Sequence, residues 1–363
     1  MRVTEIPIPS FPGDDPLGQF EAVEELNRAR YDEGLAGRST LRTAREISAS
    51  YSRRAIYTRH YYLLSNPEDR NFDAPIAMIG PGHPAKILGY GYLRLPQQQK
   101  EREEAWIDVV VHPESWGREY GSFLLGEVTR EARNKAAKRL TCRVYKPMED
   151  SALSTLDLLE SVPARFLLAN GFSLNSVYEE YAWDVTNHDE LRERLAPLSQ
   201  VPGYRLVSWE GRSPKELLPG IAALRRRYKM DEQQAAFDQS RTEYWTVESL
   251  EREDEYNVAG GSPVFTTAAV DPNGEVVGFT SLISHVDSPA RLLQSGTVVR
   301  IDARGKGLGM AMKATNILSV IGNHPNVREV TTGIDPVNVM LIEVNSRLGF
   351  QPVGMQGEFS KSI

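Results

Sequence analysis

Residues 300–313 read RIDARGKGLGMAMK. Three glycines stand among cations, after the apolar run TVV and before a helical-looking run. Leu308, Ala311, Met312, Thr315 and Leu318 recur at helical spacing, which predicts a helix starting near Gly307. The first N–H groups of that helix have no partners within it, and its N-terminus carries partial positive charge. Gly305, Gly307 and Gly309 leave room for a bulky anion to approach the backbone. Arg304 and Lys306 add full charges, with Lys313 a further cation on the same helix. The stretch therefore reads as a cradle for phosphate or pyrophosphate. It is not a P-loop, because no Gly-Lys-Ser/Thr closes it. Nor does it have the dinucleotide G-x-G-x-x-G spacing.

Outward from the cradle, the second half of the chain reads as an ordered series of elements. A strand (YRLVSWE) precedes two helices (SPKELLPGIAALRRRYK and TVESLERED). Three strands follow, SPVFTTAAV, EVVGFTSLIS and SGTVVRI, the first two joined by DPNG, a hairpin signal with Asn273-Gly274 at its centre. The cradle helix, a strand (REVTTGI), a helix (NVMLIEVNSRLGF) and a closing strand (QPVGMQG) complete the order β-α-α-β-β-β-α-β-α-β.

The first half repeats most of this order, including a second glycine-containing turn, HPESWGREYGSFLL (residues 112–125). A repeat of about 180 residues is too long for a solenoid unit and indicates a duplicated domain. The polar stretch TNHDELRERLAPLSQVPG reads as a short helix plus linker. The expected organisation is thus an N-terminal domain over 1–186, a linker over 187–202 and a C-terminal domain over 203–363.

A length of 363 residues suits two cores, and 40% hydrophobic with 25% charged residues is ordinary for a globular protein. The net charge of −7 gives no support to a polyanion partner across the whole surface. The single cysteine, Cys142, lies in the strand-like run RLTCRVY and excludes an intrachain disulfide. The N-terminus has no apolar targeting run and no segment has the length of a membrane span, so a cytoplasmic protein with no membrane partner is expected. The six histidines show no metal-ligand spacing, and no metal site is expected. SYSRRAIYTRHYY mixes cations with tyrosines as RNA-binding surfaces do, but the acidic total argues against nucleic acid. ALRRRYK, with Arg225, Arg226, Arg227 and Lys229, reads as the wet face of a helix.

With a strand before it and a helix after it, Arg304-x-x-Gly307-x-Gly309 resembles the coenzyme A loop of the GCN5-related N-acetyltransferases. A second motif agrees. That family often has Asn, then Tyr seven residues on, then Gly-Phe four beyond; here Asn338, Asn345, Gly349 and Phe350 stand at those positions. The resemblance implies an α/β (α+β) fold of two tandem domains, each a mixed, mostly antiparallel sheet flanked by helices. This tandem layout is similar to that of the mycothiol synthases, although nothing here singles out their acceptor. The resemblance also implies acetyl-CoA (coenzyme A) as acyl donor and an amine of a small molecule as acceptor. The loop residues Arg304, Gly305, Lys306, Gly307, Leu308 and Gly309 would bind the pyrophosphate. The strand edge at Val298 and Val299 would splay open and pair with the pantetheine arm, and Asn338 would touch that arm. Asn345 departs from the family tyrosine that protonates the leaving thiolate. An amide gives up no proton at neutral pH but can donate a hydrogen bond to sulfur. The general base stays open among His285, Glu275, Glu243 and Tyr244, with His285 preferred for its near-neutral ionisation.

Aligning the two halves places Trp116 at Arg304, Glu119 at Gly307, Gly121 at Gly309 and Leu167 at Asn345. A carboxylate at position 119 would repel phosphate, so the first half is expected to be non-catalytic and the second to hold the cofactor. Two alternatives remain: a protein that binds acyl-CoA without turnover, suggested by the missing tyrosine, and an aminoacyl-tRNA-dependent transferase.

Overall fold

The computed structural model describes residues 1–11, 13–34, 36, 42–52, 57–67, 74–80, 82–96, 103–148, 153–232, 245–259, 263–285 and 288–363. The chain divides into two units, residues 1–179 with 353–363, and residues 180–352.

Unit 1 contains β1 (Arg2–Glu5), α1 (Gln19–Asp32), α2 (Ala44–Ser52), β2 (Tyr57–Ser65), β3 (Ile76–Met78), β4 (Pro84–Pro96), β5 (Glu104–Val111), α3 (Tyr120–Asn134), β6 (Arg139–Pro147), α4 (Thr155–Glu160), α5 (Val162–Ala169) and the first part of β7 (Ser173–Asp184). Unit 2 takes the end of β7, then α6 (His188–Leu195), β8 (Arg205–Glu210), α7 (Leu218–Glu232), α8 (Val247–Ala259), β9 (Val264–Val270), β10 (Val276–His285), β11 (Ser288–Val299), α9 (Leu308–Asn323), β12 (Glu329–Ile334) and α10 (Val339–Leu348). The closing strand β13 (Gln351–Ser362) returns to unit 1.

Within unit 2 the strand order is β7-β12-β11-β10-β9-β8. β8, β9, β10 and β11 pair antiparallel, whereas β11 and β12 pair parallel. The DPNG turn closes β9 to β10. Asp271 Oδ1 accepts from the N–H groups of Asn273 (2.9 Å) and Glu275 (3.0 Å), and Gly274 takes φ 85°, which glycine adopts without a Cβ penalty. In α9, Leu308, Ala311 and Met312 are buried as their spacing predicts, with Thr315 and Leu318 half-buried. In unit 1 the order is β1-β2-β4-β5-β6-β13-β7; β1, β2, β4 and β5 pair antiparallel in turn, as do β6 and β13, whereas β5 and β6 pair parallel. Both units are therefore mixed, mostly antiparallel sheets flanked by helices, as expected. β1, β3 and α4 are elements that the sequence alone does not mark.

The unit boundaries differ from the expected 1–186, 187–202 and 203–363. The stretch read as a short helix plus linker contains α6, which belongs to unit 2. Leu191 and Leu195, one helical turn apart, are buried in its core beside Ile317 and Val320 of α9. Two apolar side chains on one stripe suffice to dock a helix that is otherwise polar. The second difference is at the C-terminus. β13 pairs antiparallel with β6 from Gly354↔Pro147 to Ser362↔Arg139, and Met355 and Phe359 fill the unit 1 core against Leu140, Val144 and Leu158. Unit 1 is thus completed by the last residues of the chain. Phe359 is wholly buried, so Phe359→Ala is expected to destabilise unit 1 by about 3–5 kcal/mol in urea unfolding, although it lies near the chain end.

Candidate functional site

The site begins where β11 and β12 part. They pair through Arg291↔Glu329, Leu292↔Val330 and Leu293↔Thr331. Just past the last pair, Thr332 Oγ1 donates to the Gln294 carbonyl at 3.3 Å, and the ladder ends there. β11 continues along β10 with a register shift between Thr280 and Leu282. The buried Gln294 amide supports that irregularity, with Nε2 within 3.0 Å of Thr280 Oγ1 and of the Ser281 and Ser295 carbonyls.

Which edge each residue offers follows from the alternation of an antiparallel ladder. The Arg300 N–H donates to Val277 on β10 at 2.7 Å. By alternation Val298 also turns to β10, and an ideal Cβ on Gly278 would lie 2.8 Å from its carbonyl oxygen. Val299 and Thr297 turn to the edge that β12 has left. Of the two expected pantetheine contacts, Val299 is thus the edge residue. Val298, buried and facing β10, offers only its side chain.

The loop follows directly. One 3-10 turn, Ile301–Ala303, leads to Arg304, whose Nε donates to the Val299 carbonyl at 3.1 Å. Gly305 and Gly307 have φ 76° and 79°, and a Cβ added at either would meet nothing within 4 Å. Open space before exposed helix N–H groups, with Arg304 and Lys306 alongside, fits a bulky anion such as a pyrophosphate. Lys306 Nζ donates to Tyr204 Oη at 2.8 Å, which holds it at the loop. Leu308 is buried and anchors α9, and Gly309 faces Thr297, whose Cγ2 would lie 3.9 Å from an added Cβ.

The far side of the fork is α10. Asn338 is its N-cap, with Oδ1 accepting from Leu341 N at 3.2 Å. Asn345 is completely buried. Its Oδ1 accepts a 2.7 Å hydrogen bond from Lys313 Nζ, and its Nδ2 has no partner among the described residues. Lys313 therefore does not join the phosphate cradle as its charge suggested. It is buried, and burial pushes its ammonium down to about 7. In the sequence Lys313 is a cation on a helix, and the only signal that it points inward is its spacing of four from Gly309.

Of the candidates for a base, Glu275 is engaged with Arg300 at 2.7 Å on the DPNG hairpin. His285 ends β10, where it pairs with Ser288 through the backbone; its side chain lies outside the described residues, as do Glu243 and Tyr244.

A second space in unit 2, of about 420 Å³, is bordered by Ser295, Gly296 and Val298 of β11. Trp209, Trp245 and Phe279 give it an aromatic lining, and Asp254 lies at its wall. Arg225 also lines it, ion-paired to Glu253 at 2.6 Å and stacked 4.6 Å from the Trp245 ring. Arg225 is therefore not simply on the wet face of a helix. Arg226 is exposed, and the side chains of Arg227 and Lys229 lie outside the described residues.

Unit 1 repeats this local geometry. β5 and β6 pair only through Glu104↔Arg139, Ala105↔Leu140 and Trp106↔Thr141. Trp116 Nε1 donates to the Val111 carbonyl at 3.0 Å, as Arg304 does to Val299. Gly117 has φ 76° and Glu119 has φ 64°, with α3 starting at the next residue. A cavity of about 390 Å³ lies against Val109–Val111, this loop, Cys142 and Phe166. Both α5 and α10 end in the same turn, with Phe172 N donating to Leu167 at 3.1 Å and Phe350 N to Asn345 at 3.0 Å. The backbone of the loop thus persists in the first copy although its side chains have changed.

Residues 42–155 match the model of the acetyltransferase (GNAT) family. No curated protein matches the chain in sequence. In structure the chain is similar to a tandem GNAT protein from the clavulanic acid biosynthesis pathway, at 21% identity and TM-score 0.72, over 99% of this chain and 98% of that one. It is also similar to a GCN5-related N-acetyltransferase from Sphaerobacter thermophilus, at 15% identity and TM-score 0.58, over 99% and 95%. A glucosamine N-acetyltransferase region of a fungal multi-domain GH3 β-N-acetylglucosaminidase aligns at 14% identity and TM-score 0.56, over 99% of this chain and 38% of that one. Residues 42–155 thus belong to the acetyltransferase (GNAT) family, and the chain as a whole has the fold of a tandem GNAT protein.

Proposed function

We propose that unit 2 transfers an acyl group, acetyl in the simplest case, from coenzyme A to an amine of a small molecule. The observation that carries this reading is that one strand, β11, borders both substrate spaces. Its Thr297 and Val299 face the open fork that leads to the three-glycine loop, and its Ser295, Gly296 and Val298 border the aromatic chamber. A thioester carbonyl beside this strand would lie between a phosphate cradle and a chamber for the amine.

Each residue then has a task. The N–H groups at the start of α9, with Arg304 and Lys306, bind the pyrophosphate. Val299 pairs with the pantetheine amides as an added strand would. An N–H of β11 aimed at the carbonyl stabilises the negative charge that grows there as the amine attacks. Trp209, Trp245 and Phe279 hold the body of the acceptor and exclude water. Asp254 favours a cationic acceptor, which must lose a proton before it attacks, whereas Glu253 is already paired with Arg225. Unit 1, with Glu119 at the loop, shapes or supports and does not turn over.

The test is thiol release from acetyl-CoA with a panel of small amines, alongside calorimetry of acetyl-CoA on the full chain. One binding site and turnover with at least one amine class are expected. Binding without turnover across the panel would favour a sensor, and two equivalent sites would return unit 1 to the cofactor-binding role. Salt-sensitive binding of tRNA would favour aminoacyl transfer.

A further inference from the structure

We propose that the Lys313 ammonium, held by Asn345 Oδ1, donates the proton to the departing coenzyme A thiolate. The inference rests on the acyl-transfer reading of unit 2.

Three observations locate the group. Gly309, Lys313 and Ile317 are four apart and share one face of α9. Gly309 faces Thr297 in the open part of β11, while Ile317 packs in one core with Leu292 and Val330 of the paired part. Lys313 therefore sits at the level where β11 and β12 separate, and Asn345 reaches it there from α10 at 2.7 Å. An arm entering along Val299 from the loop would run toward that level.

The polar capacity of the pair is only partly used. An ammonium offers three donors and an amide offers two. One Lys313–Asn345 hydrogen bond is present, and Asn345 Nδ2 has no partner among the described residues. The Phe350 ring, 5.7 Å from Nζ, supplies a further wall. Burial lowers the Lys313 ammonium, and no charged group among those described offsets it. At the matching positions unit 1 has Leu125 and Leu167, so this fold closes the same junction with two apolar side chains. Two buried polar groups with donors to spare, at the end of the proposed thioester channel, fit a partner that accepts hydrogen bonds and carries negative charge. A thiolate is such a partner.

The step balances as follows. The amine lone pair forms the C–N bond at the thioester carbonyl. Collapse of the adduct breaks the C–S bond and leaves the electron pair on sulfur. Lys313 gives that sulfur a proton and becomes a neutral amine. The new amide nitrogen sheds its extra proton to water, and Lys313 regains one from water before the next cycle.

The probe is coenzyme A in its free-thiol form on the full chain, with binding first checked by calorimetry. The ultraviolet thiolate band is followed against pH, with desulfo-coenzyme A as the blank. The one cysteine, Cys142, is buried and its thiol is pushed up by that burial, so it stays silent. In the wild type the bound thiol is expected to ionise about one pH unit or more below free coenzyme A. In Lys313→Met, with affinity retained, the shift is lost; in Asn345→Leu it is reduced. A bound thiol that ionises like free coenzyme A in the wild type overturns the proposal, even if the variants fail to bind. An equal shift in wild type and Lys313→Met overturns it as well. Failure of the wild type to bind coenzyme A at all is a different result, and removes the acyl-transfer reading itself.

Discussion

Gly307→Glu is expected to weaken acetyl-CoA binding by about 100-fold while leaving the fold intact. The chain itself carries the control. Glu119 occupies the matching loop position in unit 1 at φ 64°, and α3 begins at the next residue just as α9 begins after Gly307. A glutamate can therefore adopt this backbone, at a strain of roughly 1–2 kcal/mol for a left-handed conformation. Space is no obstacle, since a Cβ on Gly307 meets nothing within 4 Å. What changes is charge. A carboxylate beside a pyrophosphate, about 4 Å away at the dielectric of a protein surface, opposes binding by up to about 4 kcal/mol. Screening reduces this, and a loss of about 100-fold corresponds to roughly 2.7 kcal/mol. Calorimetry of acetyl-CoA with the variant checks it, and an unchanged melting temperature within a few degrees separates charge from folding. Gly307→Ala, which adds strain without charge, should lose far less. Unaltered binding in Gly307→Glu would mean that the cradle in unit 2 is not the cofactor site.

The comparison between the two loops explains what the sequence can and cannot reveal. Gly305, Gly307, Leu308 and the apolar stripe of α9 were legible because each obeys a local rule: positive φ, helix start, helical spacing. The Gly-Phe pairs were legible for the same reason, since an αL glycine followed by a buried phenylalanine closes both α5 and α10. The same local rules explain how residues 42–155 still match the acetyltransferase family although Trp116 and Glu119 have replaced its charge pattern. Trp116 keeps the hydrogen bond to the strand carbonyl that Arg304 makes, so the loop shape survives without the arginine.

Long-range relations were not legible. QPVGMQG reads as a strand, but nothing in it says that β6 of unit 1 is its neighbour or that it runs on to Ser362, because a strand's partner is set by faces and registers elsewhere. The chamber behind β11 draws Trp209, Arg225 and Trp245 from three separate segments, none with a motif. Val298 and Val299 differ by one position and face opposite edges; only the register with β10 decides which is which. Lys313 shows the same limit. Its charge points to the phosphate cradle, whereas its place on the Gly309 face of α9 decides where the side chain goes.

Replacing Lys313 and Asn345 together by leucine, the pair that unit 1 carries as Leu125 and Leu167, is expected to stabilise unit 2 by about 3–5 kcal/mol near pH 7. Burial lowers the Lys313 ammonium from the ordinary 10.5 to about 7, with no opposite charge to offset it. The sign follows from proton counting. Between pH 7 and 10.5 the unfolded chain keeps a proton on this lysine that the folded chain releases. Wild-type stability from this group therefore rises with pH across that window, and its penalty is complete below pH 7. The leucine pair removes the titrating group, so its advantage is full at and below neutral pH and closes as pH approaches 10.5. Urea unfolding of both proteins across this range measures it. A difference that does not change with pH would mean that Lys313 stays protonated in both states through a partner such as bound water. The single variant Lys313→Met should gain less, because it strands both halves of the Asn345 amide in the core. Such a large reserve of stability, left unused at two positions where the same chain elsewhere places leucine, is what a site selected for chemistry at the sulfur would show.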